Sequence, residues 1–194
     1  MRELALDDVL EWLRDRLSTA MKPLLKEWGN LRKRAEKVLK EVRNACERIR
    51  EEGEKCLHDK DHRKHKPGRA ALRFHKLMSG VIEDVRVPSD LSTENIRALQ
   101  KDLARLYNTI GKEWAGLLGQ MEPYMIRARM KLKGAWRRVG ELVRDLEDLA
   151  ARCKPLEAED QVSSQISRIK KLIEDLRSVE GEISLLSMEK EDAE

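Results

Sequence analysis

Apolar residues recur along this chain in alternating steps of three and four. The first long run reads Leu10, Leu13, Leu17, Ala20, Leu24, Trp28, Leu31, Ala35, Val38, Val42, Ala45 and Ile49. An α-helix turns about 100° per residue, so these steps draw one stripe along one face. The stripe predicts a first helix from about Leu6 to Leu57, with Asp7 and Asp8 near its N-terminus, where the helix dipole favours anions. Two four-residue steps follow each other at Ala20–Leu24–Trp28, and Pro23, which has no amide hydrogen, sits among them. Such a phase slip locally unwinds a supercoil, and a bend is expected there.

From His58 to Arg69 the chain is polar and closes on Pro67-Gly68, the signature of a break. Ala71, Phe74, Met78, Val81 and Val85 predict a second, shorter helix from about Arg69 to Val85, ended by Val87-Pro88-Ser89-Asp90. Ser92 is placed to cap the next helix, with Glu94 in its first turn; Asn95 stands where a capping box needs Glu or Gln. The third helix is the longest expected, from about Thr93 to Cys153. It slips phase at Leu106–Ile110–Trp114 and Leu117–Met121–Met125, with Pro123 beside the second slip. Lys154-Pro155 should stop it. A fourth helix, about Glu159 to Met188, carries Val162, Ile169, Leu172, Leu176, Val179, Ile183 and Leu186, and the last six residues are polar and expected to fray.

These elements predict an all-α fold: an elongated antiparallel helical bundle or coiled coil of about four helices, two of them very long and bent at prolines. Residues 1–155 would form a basic long-helix body, with 156–194 an acidic C-terminal helix packed on it. Two topologies satisfy the pattern. The second helix either stacks end to end on the first or folds back on it as a short hairpin. The first arrangement is favoured, because so long a third helix needs a partner of similar length. It sets Arg127–Arg138 opposite roughly Arg50–Leu39.

Composition agrees with thin helices. Charged residues make up 39% of the 194, against about 25% in ordinary globular chains, and a bundle in which each helix buries one stripe supplies the surface they need. Disorder would lack the sustained period. The net charge of +4 is unevenly spread, with 35 Lys+Arg against 25 Asp+Glu up to Pro155 and 5 against 11 beyond it. A basic body invites anionic partners, while an acidic tail either stays solvated or competes for that surface. Cys46 and Cys56 are separated by about 15 Å of predicted helix and cannot bridge within it. With Cys153 they make an odd number without framework spacing, which points to a reducing compartment. Acidic residues within Met1–Leu13 argue against a secretory signal, and no apolar run approaches the roughly 20 residues of a membrane span. A cytoplasmic location, peripheral to a membrane, is expected.

The densest cationic stretch is Ile126–Gly140, with Arg127, Arg129, Lys131, Lys133, Arg137 and Arg138 and no acid. On a helix these cations flank the stripe on both edges, so the solvent face should be cationic throughout. Arg32, Lys33, Arg34 and Lys37 of the first helix, diluted by Glu36, would lie near it in the favoured topology. Together they form the candidate site for phosphates of a membrane or nucleic acid. His58, His62 and His65 have a helical spacing that suits zinc, but Lys60, Arg63, Lys64 and Lys66 oppose a cation, and no metal or cofactor is assigned. Arg69 and His75 have a spacing used by some helical ribonucleases. No Gly-rich phosphate loop, nucleophile elbow or di-iron pair accompanies it, and no catalytic residue is assigned. Of the tryptophans, Trp28 and Trp114 sit on their stripes and should make core or helix–helix contacts. Trp136 lies at a stripe edge and Trp12 off it.

Bent antiparallel helices, a basic body and an acidic C-terminal helix resemble in plan the BAR domains and the ESCRT-III subunits. The resemblance implies a membrane-associated scaffold. The function expected is therefore non-enzymatic, a scaffold or assembly module engaging an anionic surface. A nucleic-acid-binding or chromosome-associated coiled coil and a pure protein–protein adaptor are the alternatives. Stripes longer than their intramolecular partners favour self-association, as a homodimer or higher oligomer, or a helical protein partner; no small-molecule substrate is expected.

Overall fold

The computed structural model describes residues 6–191. Their regular structure is helical: α1 (Leu6–His58), α2 (His65–Glu83), α3 (Thr93–Ala115) and α4 (Ile126–Glu191), with 3-10 turns at His62–Lys64 and Gly119–Met121. The chain divides into two compact units, Leu24–Cys153 and a second formed by Met1–Pro23 with Lys154–Glu194. Both long helices contribute to both units.

In the unit Leu24–Cys153 the helices run up, down, up, down. α2 folds back on α1: a Cβ at Gly53 would lie 2.6 Å from Ala71 Cβ, and one at Gly68 would lie 2.8 Å from the Gly53 carbonyl oxygen. Absent side chains thus let two backbones touch. Further along the same pair, His75 Nε2 and Glu47 Oε1 are 2.9 Å apart. Where α2 ends, the connection to α3 continues along α1, and the Ser89 carbonyl accepts bonds from Trp28 Nε1 at 3.2 Å and Arg32 at 3.3 Å. Ser92 caps α3 as its sequence position implies, accepting from the Asn95 amide at 3.0 Å, and Asn95 itself donates back to the Asp90 carbonyl. α3 and α4 then meet where small residues admit rings. Tyr107 lies against Gly140 and Trp136 against Gly111, and Trp136 Nε1 donates to the Tyr107 carbonyl at 3.0 Å. The core between the four helices is closed by Phe74, Met78, Ile96, Leu99, Leu103, Leu106, Ile110 and Leu132, all fully buried.

Three ion pairs fix α1 against α4: Glu27 with Arg152, Arg34 with Asp145 at 2.8 Å, and Glu41 with Arg138 at 2.7 Å. Each pair is seven residues up α1 and seven down α4 from the last, so the helices are antiparallel in constant register. The expectation that Arg127–Arg138 faces roughly Arg50–Leu39 matches that register.

In the other unit, Leu10, Leu13 and Leu17 of α1 are buried, while Trp12 is exposed with the Arg16 guanidinium over its ring. Ser167 and Lys170 of α4 share a cleft with Leu10, Glu11, Arg14 and Asp15.

Several sequence expectations are corrected. The long third helix is two helices, since α3 stops at Ala115 and α4 starts at Ile126. Gly116 and Gly119 weaken the intervening helix, and Glu122, biased by the proline after it, is extended (φ −73°, ψ 143°). Its buried Leu118, Met121 and Met125 continue the apolar stripe as a plug at the end of the bundle. With that helix divided, no long partner is needed beneath it, and α2 takes the hairpin position rather than stacking on the end of α1. Conversely, Lys154-Pro155 does not stop α4; α1 runs on through Pro23, as the expected first helix does. Both prolines and the residues four before them, Thr19 and Ala151, are exposed, positions at which water can replace the missing amide partner. α4 is helical to Glu191; the rest of the predicted frayed tail, 192–194, lies outside the described residues.

The glycine contact carries a prediction. Gly53→Val should lower the unfolding free energy by about 2 kcal/mol or more, because α1 and α2 must separate. Gly29→Ala, where nothing lies within 4 Å of a new Cβ, should raise it by about 0.5–1 kcal/mol. Urea titrations followed by far-ultraviolet circular dichroism read both; equal effects would exclude the close crossing as the cause.

Candidate anionic-surface site

The structure divides the ten candidate cations by what surrounds them. Arg129 does not belong to the solvent face: it is 7% exposed, pairs with Glu122 and places its guanidinium 5.6 Å from the Trp114 ring centre. That ring stacks on Trp136 at 5.6 Å, and Trp136 packs on Tyr107 at 5.2 Å. The sequence missed this because Glu122 precedes the cationic stretch and the turn after α3 carries it back. Trp114 and Trp136 are half-buried and make the helix–helix contact, whereas Trp28 is in the core. Arg34 and Arg138 are spent on Asp145 and Glu41, and half-buried Arg32 holds the Ser89 carbonyl. The acidic partners missing within α4 are therefore supplied in part by α1.

Arg127, Lys131, Lys133, Arg137, Lys33 and Lys37 remain exposed. They do not form one patch. Lys133 and Arg137 lie on the opposite side of α4 from Lys131. Lys33 and Lys37 flank Arg34, about 20 Å along the seam from the step that faces Lys131.

One place concentrates unopposed charge. The ladder Glu27–Arg152, Arg34–Asp145, Glu41–Arg138 steps next to Arg48 and Lys131, and there the alternation of sign fails: both residues are cations. Among the described residues neither has a carboxylate within ion-pair distance, and both line an open cleft of about 380 Å³ with Met130 and the paired Glu41 and Arg138. Coulomb repulsion across the seam would be relieved by any anion bound between them. Beside this step two large apolar side chains are left in water, Ile126 at 56% and Met130 at 59% exposed. At the same end of the bundle Arg127, Lys55, Tyr124 and Ile126 line a second cleft of about 510 Å³ whose charge is mixed, since Glu52 and the Lys64-paired Asp59 line it too. Arg48, Ile126 and Met130 were not among the sequence candidates, because only the register between α1 and α4 reveals that Arg48 faces a cation.

The remaining titratable groups are internally engaged. Lys64 meets Asp59 at 2.5 Å and Arg63 meets Asp61 at 3.0 Å, and these hydrogen bonds hold both carboxyls below their ordinary range. Of the histidines considered for zinc, His58 Nδ1 contacts the Glu54 carbonyl, His65 Nε2 contacts the Asp59 carbonyl, and His62 lies edge-on to His65. Among the described residues, no cluster of three or more His, Cys, Asp or Glu is arranged to hold a metal ion. His75 pairs with Glu47 rather than with Arg69, and the hydrogen bonds from His75 and Arg50 lower the Glu47 carboxyl. Cys46, Cys56 and Cys153 are buried. Burial pushes Cys46 up to about 12 and also raises Cys56, against the pull of Lys64. No described helix is long and apolar enough to cross a membrane. Compared with known proteins, the chain matches no family model, no curated protein and no solved structure.

Two outcomes follow. Arg129→Ala should cost about 1–3 kcal/mol in urea unfolding, because it strips a ring of its cation and a carboxylate of its partner, whereas Arg127→Ala should change stability by less than about 0.5 kcal/mol. The raised Cys46 value sets an alkaline limb. Above pH 9 the unfolded chain releases a thiol proton that the folded chain keeps to about 12, so stability falls as pH rises through that window. Urea midpoints for Cys46→Ala should fall less steeply across it than those of the parent.

Proposed function

We propose that the chain is a non-enzymatic scaffold or assembly module whose α1–α4 seam docks on an anionic membrane surface. The observation that carries this reading is the like-charged step Arg48/Lys131 set beside exposed Ile126 and Met130. A phosphate-bearing headgroup layer satisfies the cations, and the boundary between headgroups and acyl chains accepts the two apolar side chains. A nucleic-acid backbone would reward the cations but leave Ile126 and Met130 in water. Tyr107, Trp136 and Trp114 pack on one another, which leaves Tyr124 as the exposed ring nearest the cleft for base stacking. The membrane reading is therefore preferred to the nucleic-acid one, and the adaptor reading leaves the charge reversal along the seam without a purpose.

Co-sedimentation with vesicles rich in phosphatidylserine, compared with phosphatidylcholine alone, tests it. Replacing both Arg127 and Lys131 with Ala should weaken binding by about 30-fold, at roughly 1 kcal/mol per cation. Replacing Ile126 and Met130 with Ser should matter most at high salt, where the charges are screened. The pair Lys133→Ala/Arg137→Ala, on the other side of α4, should bind as the parent does. Preference for duplex DNA or RNA in a gel shift, or binding to neither ligand, would overturn the proposal in favour of the nucleic-acid or adaptor alternative.

A further inference from the structure

We propose that α4 pairs antiparallel with α4 of a second copy of this chain, through the stripe Ile169–Leu172–Leu176–Val179. The residues involved differ from those of the membrane reading, and the pairing stands whether or not lipid binds.

Pattern comes first. Val162, Ile169, Leu176 and Ile183 recur every seven residues, and Gln165, Leu172 and Val179 follow three after the first three of them. That is the alternation of core positions in a two-stranded coiled coil. Within its own unit, however, α4 turns a different side to α1. Among its described residues there Leu156, Ile166, Ser167 and Lys170 are half-buried, and Ser167 and Lys170 share a cleft with Leu10 and Arg14. The heptad stripe is left in water: Ile169 is 52% exposed, Leu172 54%, Leu176 62% and Val179 50%. A continuous apolar stripe of this kind marks an interaction surface.

Charge selects the occupant and its direction. Residues 161–173 carry Arg168, Lys170 and Lys171 and no acid, while 174–183 carry Glu174, Asp175, Glu180 and Glu182 against Arg177 alone. Parallel pairing would lay basic on basic and acid on acid, with Asp175 of one strand beside Glu180 of the other. Antiparallel pairing lays each basic half on the acidic half of the second copy. With Leu172 opposite Leu176 of the copy, Ile169 meets Val179 and Arg168 flanks Glu182. The two-fold axis repeats each contact, as an isologous interface requires. Asp175 then faces its own counterpart at the centre, one like-charge contact against two Arg168–Glu182 pairs. A helix with a basic first half and an acidic second half is its own complement when reversed, which is why a second copy suits this face.

Sedimentation equilibrium of the full chain without lipid should give twice the 22.6 kDa mass of one chain as concentration rises. Leu172→Asp with Leu176→Asp should return it to one chain with an unchanged circular dichroism spectrum, since both side chains are exposed in the single chain. Direction is read by mixing Ile169→Cys with Val179→Cys under mild oxidant, where a mixed disulfide should dominate; the three native thiols are buried. A single chain at every concentration overturns the proposal, as does a dimer that survives the double substitution. Disulfides joining only like variants would overturn the antiparallel register. Vesicle binding, measured separately on the same double variant, should persist, so failure here is distinguishable from failure of the membrane reading.

Discussion

Contact between two backbones at Gly53 and Gly68 governs the arrangement of the unit Leu24–Cys153. A helix pair separated by side chains would leave room between α1 and α2, whereas here a Cβ on either glycine would strike the other helix. The closeness holds α2 down along α1, with Phe74 and Met78 turned into the core. α2 is shorter than the stretch of α1 it follows, so its connection to α3 covers the rest and Ser89 reaches Trp28. The chain must then climb as α3 and descend as α4. The same device recurs where Gly111 and Gly140 admit Trp136 and Tyr107. Four glycines in helix interiors, each unfavourable by about 1 kcal/mol in isolation, are thereby offset by the packing they permit.

From that order of helices comes the electrostatic character of the α1–α4 seam. Ion pairs between exposed side chains contribute little to stability, typically about 0–1 kcal/mol each. Their value here is register: three pairs at intervals of seven hold one helix against the other without slip. The same register brings Arg48 and Lys131 together, where no carboxylate relieves them. The seam thus pairs opposite charges over three steps and leaves the fourth, Arg48 with Lys131, cationic beside Ile126 and Met130.

Much of this was legible in the residues. The stripe from Leu10 to Ile49 places α1 almost to its ends, Ser92 announces the start of α3, and Trp28, lying on the stripe, reads as a core or helix–helix contact. What escaped were the breaks and the pairings. Pro155 reads as a stop, yet at an exposed position a helix can continue through a proline, because water can take the place of the missing amide, and α4 does so. Around Gly116, Gly119 and Pro123 the apolar period carried on, because Leu118, Met121 and Met125 are as buried in a turn as they would be in a helix. Periodicity reports burial, and burial does not require that the chain stay straight. Arg129 belonged by sequence to the cationic face and by structure to Glu122 and Trp114, a placement settled by a residue beyond the stretch that contains it.

By itself the sequence determined the helical class, the faces that must be buried and the uneven distribution of charge, because these follow from local period and composition. Only the tertiary structure decided where the chain reverses, which helices touch and which cations are left without partners. Those outcomes depend on distances between residues far apart in the chain: a glycine's missing Cβ matters only against the helix it meets, and Arg48 becomes noteworthy only when Lys131 stands across from it.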